Sequence, residues 1–309
     1  MDNSKNNFDL ANKIGPLLAP EWPISPKYII MKQFFFPLLI GFAPSAISAQ
    51  TMSCCVASAT ESFARLASDK VFVMSHSEPQ PFRFDSRQGK EFQFKASDGS
   101  EAYGWEIKST TQSDNYLLVI HEWWGLNDYI KQESETMWKD LGNINVIAVD
   151  LYDHKVAANS QDAAKLVQAV TTQRAEAILR GAIAYAGTKA KIYTVGWCFG
   201  GGWSLQASLL AGAQAAGCVM YYGMPEKDLD KLKRLHADVL GIFANKDNFI
   251  TPKIVDEFAE RMNAAGKKLT LKRYDAVHAF ANPSNPNFDK AAREDAYGNM
   301  LSFIRARIK

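Results

Sequence analysis

The sequence predicts an α/β fold, a mostly parallel sheet with helices on both faces. Three observations lead there. Strand-like and helix-like stretches alternate from residue 116 onward, the pattern of strands joined by crossover helices. A β-rich run, Lys191 to Val195, breaks into Gly196-Trp197-Cys198-Phe199-Gly200-Gly201-Gly202 before a helical stretch to Ala211. Ahead of both, Phe92–Phe94 and Tyr103–Ile107 alternate around Asp98-Gly99, which is a hairpin signal.

The elements follow in order. Strands are expected at Tyr116–Ile120, Asn145–Val149, Lys191–Val195, Gly217–Tyr222, Val239–Ala244 and Leu269–Tyr274. Between them, Ile130, Met137, Trp138 and Leu141 mark one helical apolar stripe, and Ile254, Phe258, Met262 and Ala265 another, at the spacing of a helix face. Gly142 and Gly266 stand where helix-ending glycines belong. There are no repeats or low-complexity linkers, so residues 90–309 are expected to form one catalytic domain. Residues 50–89 read as a loosely ordered lead-in with one amphipathic piece near Glu61–Ala67.

Length and composition agree with a globular enzyme. A chain of 309 residues with 47% apolar content buries a large core. A net charge of +2 and the absence of any Lys/Arg-rich block argue against a nucleic-acid partner.

The N-terminus carries a different signal. Lys32 is followed by the apolar run Phe34–Ala43 and then by Pro44, Ser45, Ala46, Ser48 and Ala49. A cation, a short apolar core and small residues make a secretory signal peptide, expected over residues 31–49. Pro37 and Pro44 interrupt the run, and it is too short for a stable membrane span. Residues 1–30 are expected to be an upstream extension of the reading frame, with a tethered N-terminal segment as the other reading. The protein is then expected to be periplasmic or secreted, and cytoplasmic if the segment is not processed. Thr51-Met52-Ser53 before Cys54-Cys55 lacks the Leu-type residue of a lipidation site.

The chemistry centres on Cys198. A thiol between a strand end and a helix N-terminus meets unpaired N–H groups and a dipole that favour an anion. The bland alternative is an inert cysteine in a Gly-rich connection. A nucleophile at such a turn needs a base and an orienting carboxylate, in the chain order nucleophile, acid, His. His236 sits among Lys231, Lys233 and Arg234 and reads as surface; His278 follows the Leu269–Tyr274 strand and can reach over the turn. Asp247 closes the Val239–Ala244 strand, where open α/β sheets place their sites; its alternative is a helix cap before Pro252. Cys218 reads as core, and no Cys/His spacing suggests a structural metal.

With these residues in view, the stretch from about 90 to 305 resembles the dienelactone hydrolases, a cysteine-using branch of the α/β-hydrolase superfamily. The matching motifs are the 196–202 turn, Asp247, His278-Ala279-Phe280-Ala281, and Ile120-His121-Glu122-Trp123-Trp124-Gly125. The resemblance implies an α/β-hydrolase fold and hydrolysis of an ester or lactone by Cys198, His278 and Asp247 through a thioester. It implies that Glu122 positions the resting thiol. Backbone N–H groups of Phe199 and Trp123 are expected to hold the oxyanion, and the side chains of Trp123, Trp124 and Trp197 to wall the pocket, with core packing as the alternative for each and Tyr129 and Tyr152 as weaker rim candidates. No cofactor and no metal are expected; the partner is a small ester or lactone, and the protein is expected to be a monomer.

One departure bears on substrate. Ala279 and Asn282 occupy positions where members acting on dienelactone usually carry serine and arginine, and an asparagine does not replace an arginine's charge pairing. Arg174 or Arg180 would be the cations left to grip a carboxylate. A non-catalytic binding protein that keeps the fold is the alternative function, and a redox-sensing thiol a weaker one.

Overall fold

A computed structural model describes residues 58–308. The expected signal peptide, Cys54 and Cys55 lie outside the described residues. The elements run α1 (Ala59–Leu66), α2 (Lys70–Met74), β1 (Lys90–Lys95), β2 (Glu101–Ile107), β3 (Asn115–Ile120), α3 (Asp128–Leu141), β4 (Asn145–Asp150), α4 (Ser160–Ala169) and α5 (Thr172–Ala186). There follow β5 (Lys191–Trp197), α6 (Phe199–Ala211), β6 (Ala215–Tyr221), α7 (Leu229–Lys233), β7 (Val239–Ala244), α8 (Pro252–Ala264), β8 (Leu269–Tyr274) and α9 (Lys290–Arg305).

The eight strands form one sheet in the order β1-β2-β4-β3-β5-β6-β7-β8. β1, β2 and β4 pair antiparallel; the other neighbours are parallel. The burial pattern follows position. Every residue of β4 and β7 is buried, whereas the edge strand β8 has no buried residue and β1 buries only Phe94, since only interior strands of a parallel sheet are covered on both faces. This is the α/β-hydrolase arrangement.

The order of the strands also says where a site belongs. The chain winds one way from β3 to β4 and the other way from β5 to β8, so direction reverses between β3 and β5. A crevice opens outside the carboxyl ends of the strands at such a reversal. Ile120 pairs with Gly196 across that seam, so Glu122 and Cys198 leave the sheet at the same level.

The lead-in differs from its reading as loose chain. Ser58 and Glu61 form a reciprocal capping box at 2.9 and 3.1 Å, and Asp69 caps α2. These two short helices are held by aromatic packing: the Phe63 ring lies 5.6 Å from Phe199, and the Phe72 ring 5.5 Å from Trp123 and 4.9 Å from Phe249. A helix this short is marginal alone; buried phenylalanines anchor it to the carboxyl end of the sheet. Among the described residues no helix is long and apolar enough to cross a membrane.

Candidate active site

The turn at Cys198 follows from its glycines. Cys198 has φ 55° and ψ −115°, a conformation costly for any residue with a Cβ. The chain closes so tightly that a Cβ on Gly196 would stand 2.1 Å from the Gly200 carbonyl oxygen, and one on Gly200 2.3 Å from the carbonyl oxygens of Ile120 and His121. Hydrogen side chains at these two positions let α6 start directly after the cysteine, three residues earlier than its apolar pattern suggests. α6 is buried at ten of its 13 positions, so the turn sits on a rigid central helix.

The other groups arrive from neighbouring strands. Ala244 of β7 pairs with Tyr274 of β8, and the loops beyond them carry Asp247 and His278. Asp247 Oδ1 accepts from the Phe249 and Ile250 N–H groups at 2.8 and 2.9 Å, which fixes the carboxylate. Its Oδ2 lies 2.6 Å from His278 Nδ1, and His278 Nε2 lies 3.2 Å from Cys198 Sγ. Thr251, not Asp247, caps the following helix. His236 is exposed, as its basic surroundings suggest.

The electrostatics of this line follow from burial. Desolvation pushes the Cys198 thiol up, against the pull of His278 and of the Phe199 N–H. Burial also opposes charge on His278, but Asp247 and Cys198 outweigh it and raise His278 well above the usual histidine range. Burial opposes charge on Asp247 as well, yet His278 and the two loop N–H groups hold it below the usual carboxylate range. The arrangement favours moving the thiol proton onto a ring whose positive form is already compensated.

Glu122 is buried with Asn282 Nδ2 donating to its Oε2. Its Oε1 and the nearby Tyr222 hydroxyl have no hydrogen-bond partner. Desolvation pushes Glu122 up to about 7, although His278 and Asn282 favour its charged form. His121 serves structure: its Nδ1 lies 2.6 Å from the Glu122 carbonyl oxygen and its Nε2 accepts from the Leu151 N–H at 3.1 Å. The Trp123 N–H donates to nothing among the described residues.

A pocket opens beside this line. Glu122 and Asn282 form part of its wall, with Trp124, Trp197, Tyr129 and Glu133. Cys198 and His278 do not line it; the Glu122–Asn282 pair does. Two aromatic expectations need correction. Trp123 is fully buried under Phe72 and Trp124, and Tyr152 is a buried support whose hydroxyl donates to the Trp123 carbonyl at 3.1 Å. Among the described residues no lysine or arginine lines the pocket, although Arg293 stands behind its wall, bound to both oxygens of Glu133 at 3.0 and 2.8 Å. Arg174 is bound to Asp153 at 2.6 Å and Arg180 faces Glu176 at 3.8 Å; neither reaches it. Cys218 is buried core near Ser204.

Comparison with known proteins agrees with this geometry. The model of the dienelactone hydrolase family matches residues 105–308. The chain belongs to that family. It is 26% identical over 211 residues to carboxymethylenebutenolidase 1 of Cupriavidus pinatubonensis, covering 64% of this chain and 88% of the relative. It is 27% identical over 202 residues to protein usf of Aquifex pyrophilus, covering 61% and 87%. Among solved structures, a dienelactone hydrolase-like promiscuous phosphotriesterase from metagenomic libraries superposes with a TM-score of 0.63. It is 18% identical, over 72% of this chain and all of that one, a likeness of fold. Membership makes the chain a lactone or ester hydrolase.

Sequence reasoning missed three groups at the site. Phe72, His76 and Phe249 surround His278, with ring centroids 5.9, 5.5 and 5.9 Å away. Phe72 and His76 come from the lead-in, before the matched region, and no motif marks them.

Proposed function

We propose that this protein hydrolyses neutral carboxylic esters or lactones through a covalent thioester on Cys198. The observation that supports this most is the Asp247–His278–Cys198 line, with contacts of 2.6 and 3.2 Å at the sheet's direction reversal. In this reading His278 Nε2 takes the thiol proton as the sulfur bonds to the carbonyl carbon. The carbonyl π electrons move onto oxygen, which the Phe199 and Trp123 N–H groups receive. Collapse breaks the acyl–oxygen bond, and the leaving alkoxide takes the proton from His278. His278 then deprotonates water, water attacks the thioester, and the sulfur leaves with that proton.

Glu122 positions the resting site. Its charge raises the thiol's pKa, and it stands in the pocket wall hydrogen-bonded to Asn282. The pocket itself favours an uncharged substrate. Among the described residues no lysine or arginine lines it, and Arg293 behind its wall is committed to both oxygens of Glu133 at 3.0 and 2.8 Å, so a carboxylated substrate would find no free bidentate partner. The signal-peptide pattern of residues 31–49 supports export of the mature enzyme, which acts as a monomer on a small molecule with no nucleic-acid partner.

Rapid quench of an activated aryl ester followed by intact-mass analysis tests this reading. One added acyl group, mapped to the Cys198 peptide and released by hydroxylamine, is the expected result. Steady-state turnover with the acyl group on another residue, or on none under burst conditions, overturns it.

A further inference from the structure

His76 is a buried histidine that the hydrolytic line does not use. It stands at the end of the lead-in, outside the 105–308 region that matches the family. Its ring packs against Phe72 and Trp123 with centroids 4.4 and 4.3 Å away. Nδ1 lies 2.7 Å from the Phe72 carbonyl oxygen, and that oxygen can only accept, so Nδ1 carries the proton. Nε2 is then a bare lone pair, buried and without a hydrogen-bond partner among the described residues. Burial and the neighbouring His278 hold the ring's pKa down to about 3, so it is neutral at any working pH. A lone pair left unmet in the interior is costly unless it has a use.

That use is visible in what surrounds it. Donor atoms of His76, Cys198 and His278 all lie within 4.8 Å of one another. His278 Nε2 and Cys198 Sγ, at 3.2 Å, are already near the separation of about 3.5 Å that two ligands keep on tetrahedral zinc. Full coordination requires the His76 ring to turn toward this pair from within 4.8 Å. Both imidazoles are oriented as metal-ligating histidines are, each with Nδ1 tied to an acceptor: the Phe72 carbonyl for one and the Asp247 carboxylate for the other. A cleft lined by Val71, Ser75, His76, Phe249, Val277 and His278 connects the rings to solvent.

We propose that His76, Cys198 and His278 form a binding site for a borderline-soft divalent cation of the Zn²⁺ type, and that occupancy reversibly switches the hydrolase off. One thiolate and two imidazoles, with no carboxylate among them, select zinc-like ions over Mg²⁺ or Ca²⁺. Binding forms one metal–sulfur and two metal–nitrogen bonds and expels one proton. The expelled proton is the one shared by the thiol and His278, whichever atom holds it. The metal occupies both the sulfur's electron pair and the base's lone pair, so neither attack nor proton transfer proceeds. The inhibitory consequence rests on the function proposed above; the binding does not.

The test is a zinc titration of aryl-ester turnover by the full chain, beside a cobalt titration read by absorption. Zinc at micromolar concentration should abolish turnover, with recovery on adding EDTA, while Mg²⁺ has no effect. His76→Phe keeps the aromatic packing and removes the donor. Whatever its turnover without metal, half inhibition should require roughly thirtyfold more zinc than in the wild type; His76→Gln should behave alike. Co²⁺ should give a thiolate charge-transfer band in the wild type that vanishes in Cys198→Ser and weakens in either His76 variant. Unchanged zinc sensitivity in a folded His76 variant overturns the proposal, as does the lack of a cobalt band in the wild type. A cobalt band in a protein whose Cys198→Ala variant still turns over ester would keep the site and sink the hydrolytic assignment instead.

Discussion

At the scale of the residue, Glu122 is the group whose protonation shapes the site most. Burial raises its folded pKa to about 7, above the unfolded value of about 4.3. Between those values the folded state binds more protons than the unfolded one. Stability therefore falls as pH rises through this window, by roughly 3–4 kcal/mol once pH is well above 7. Glu122→Gln removes the titrating group, and urea midpoints at pH 5 and pH 8.5 should show a smaller alkaline loss for the variant than for the wild type. An equal slope in both would mean that Glu122 is ionised throughout. Asp247 is the second residue with a separable role. Asp247→Asn leaves the Phe249 and Ile250 N–H contacts a carbonyl acceptor, yet it stops compensating the His278 imidazolium. The expected loss in kcat/KM on a neutral ester is roughly 10³–10⁴-fold with little change in Tm. A loss under tenfold would show that His278 holds its orientation and charge without this carboxylate.

At the scale of the element, the turn and the lead-in act differently. A Cβ on Gly200 meets two carbonyl oxygens at 2.3 Å, and backbone gives way less easily than a side-chain tip. Gly200→Ala should cost about 3 kcal/mol or prevent folding, as chemical denaturation would show; a neutral result would mean the turn is looser than its contacts imply. Phe72 fills the space between Trp123, Phe249 and His278. Phe72→Ala should cost about 3–5 kcal/mol and lower kcat by freeing the His278 ring. The strands and the turn were legible because their signals are local: β-branched runs, glycines at a fixed spacing, and a carboxylate and a histidine just past two strand ends. The lead-in was not. Ser58, Glu61 and Asp69 carry cap signals, but burial of Phe63 and Phe72 is decided by aromatic partners at Trp123, Phe199 and Phe249, far along the chain. His76 was invisible for the same reason. Nor does sequence say that Asn282 faces Glu122, since that contact joins two loops 160 residues apart.

At the scale of the whole molecule, sheet order brings β3, β5 and β7 side by side with β6, and so places Glu122, Cys198 and Asp247 along one rim. Among the described residues the pocket beside them offers no free cation, since Arg293 behind it is bound to Glu133. A neutral ester or lactone should therefore be turned over at least as well as its carboxylated analogue in matched kcat/KM measurements at one ionic strength. A hundredfold preference for the carboxylate would require a cation that the pocket does not show. N-terminal sequencing from the native host should find mature protein beginning near Gln50, outside the cytoplasm; an intact Met1 or Met31 in the cytoplasmic fraction would remove the export proposal. The central claim is that the Cys198 sulfur is the nucleophile at the seam between β3 and β5. It is tested most directly by kcat/KM of Cys198→Ala on a simple aryl ester, with Tm measured beside it. The predicted result is an unchanged Tm and a loss of roughly four orders of magnitude or more. A folded variant that retains wild-type turnover would contradict the account.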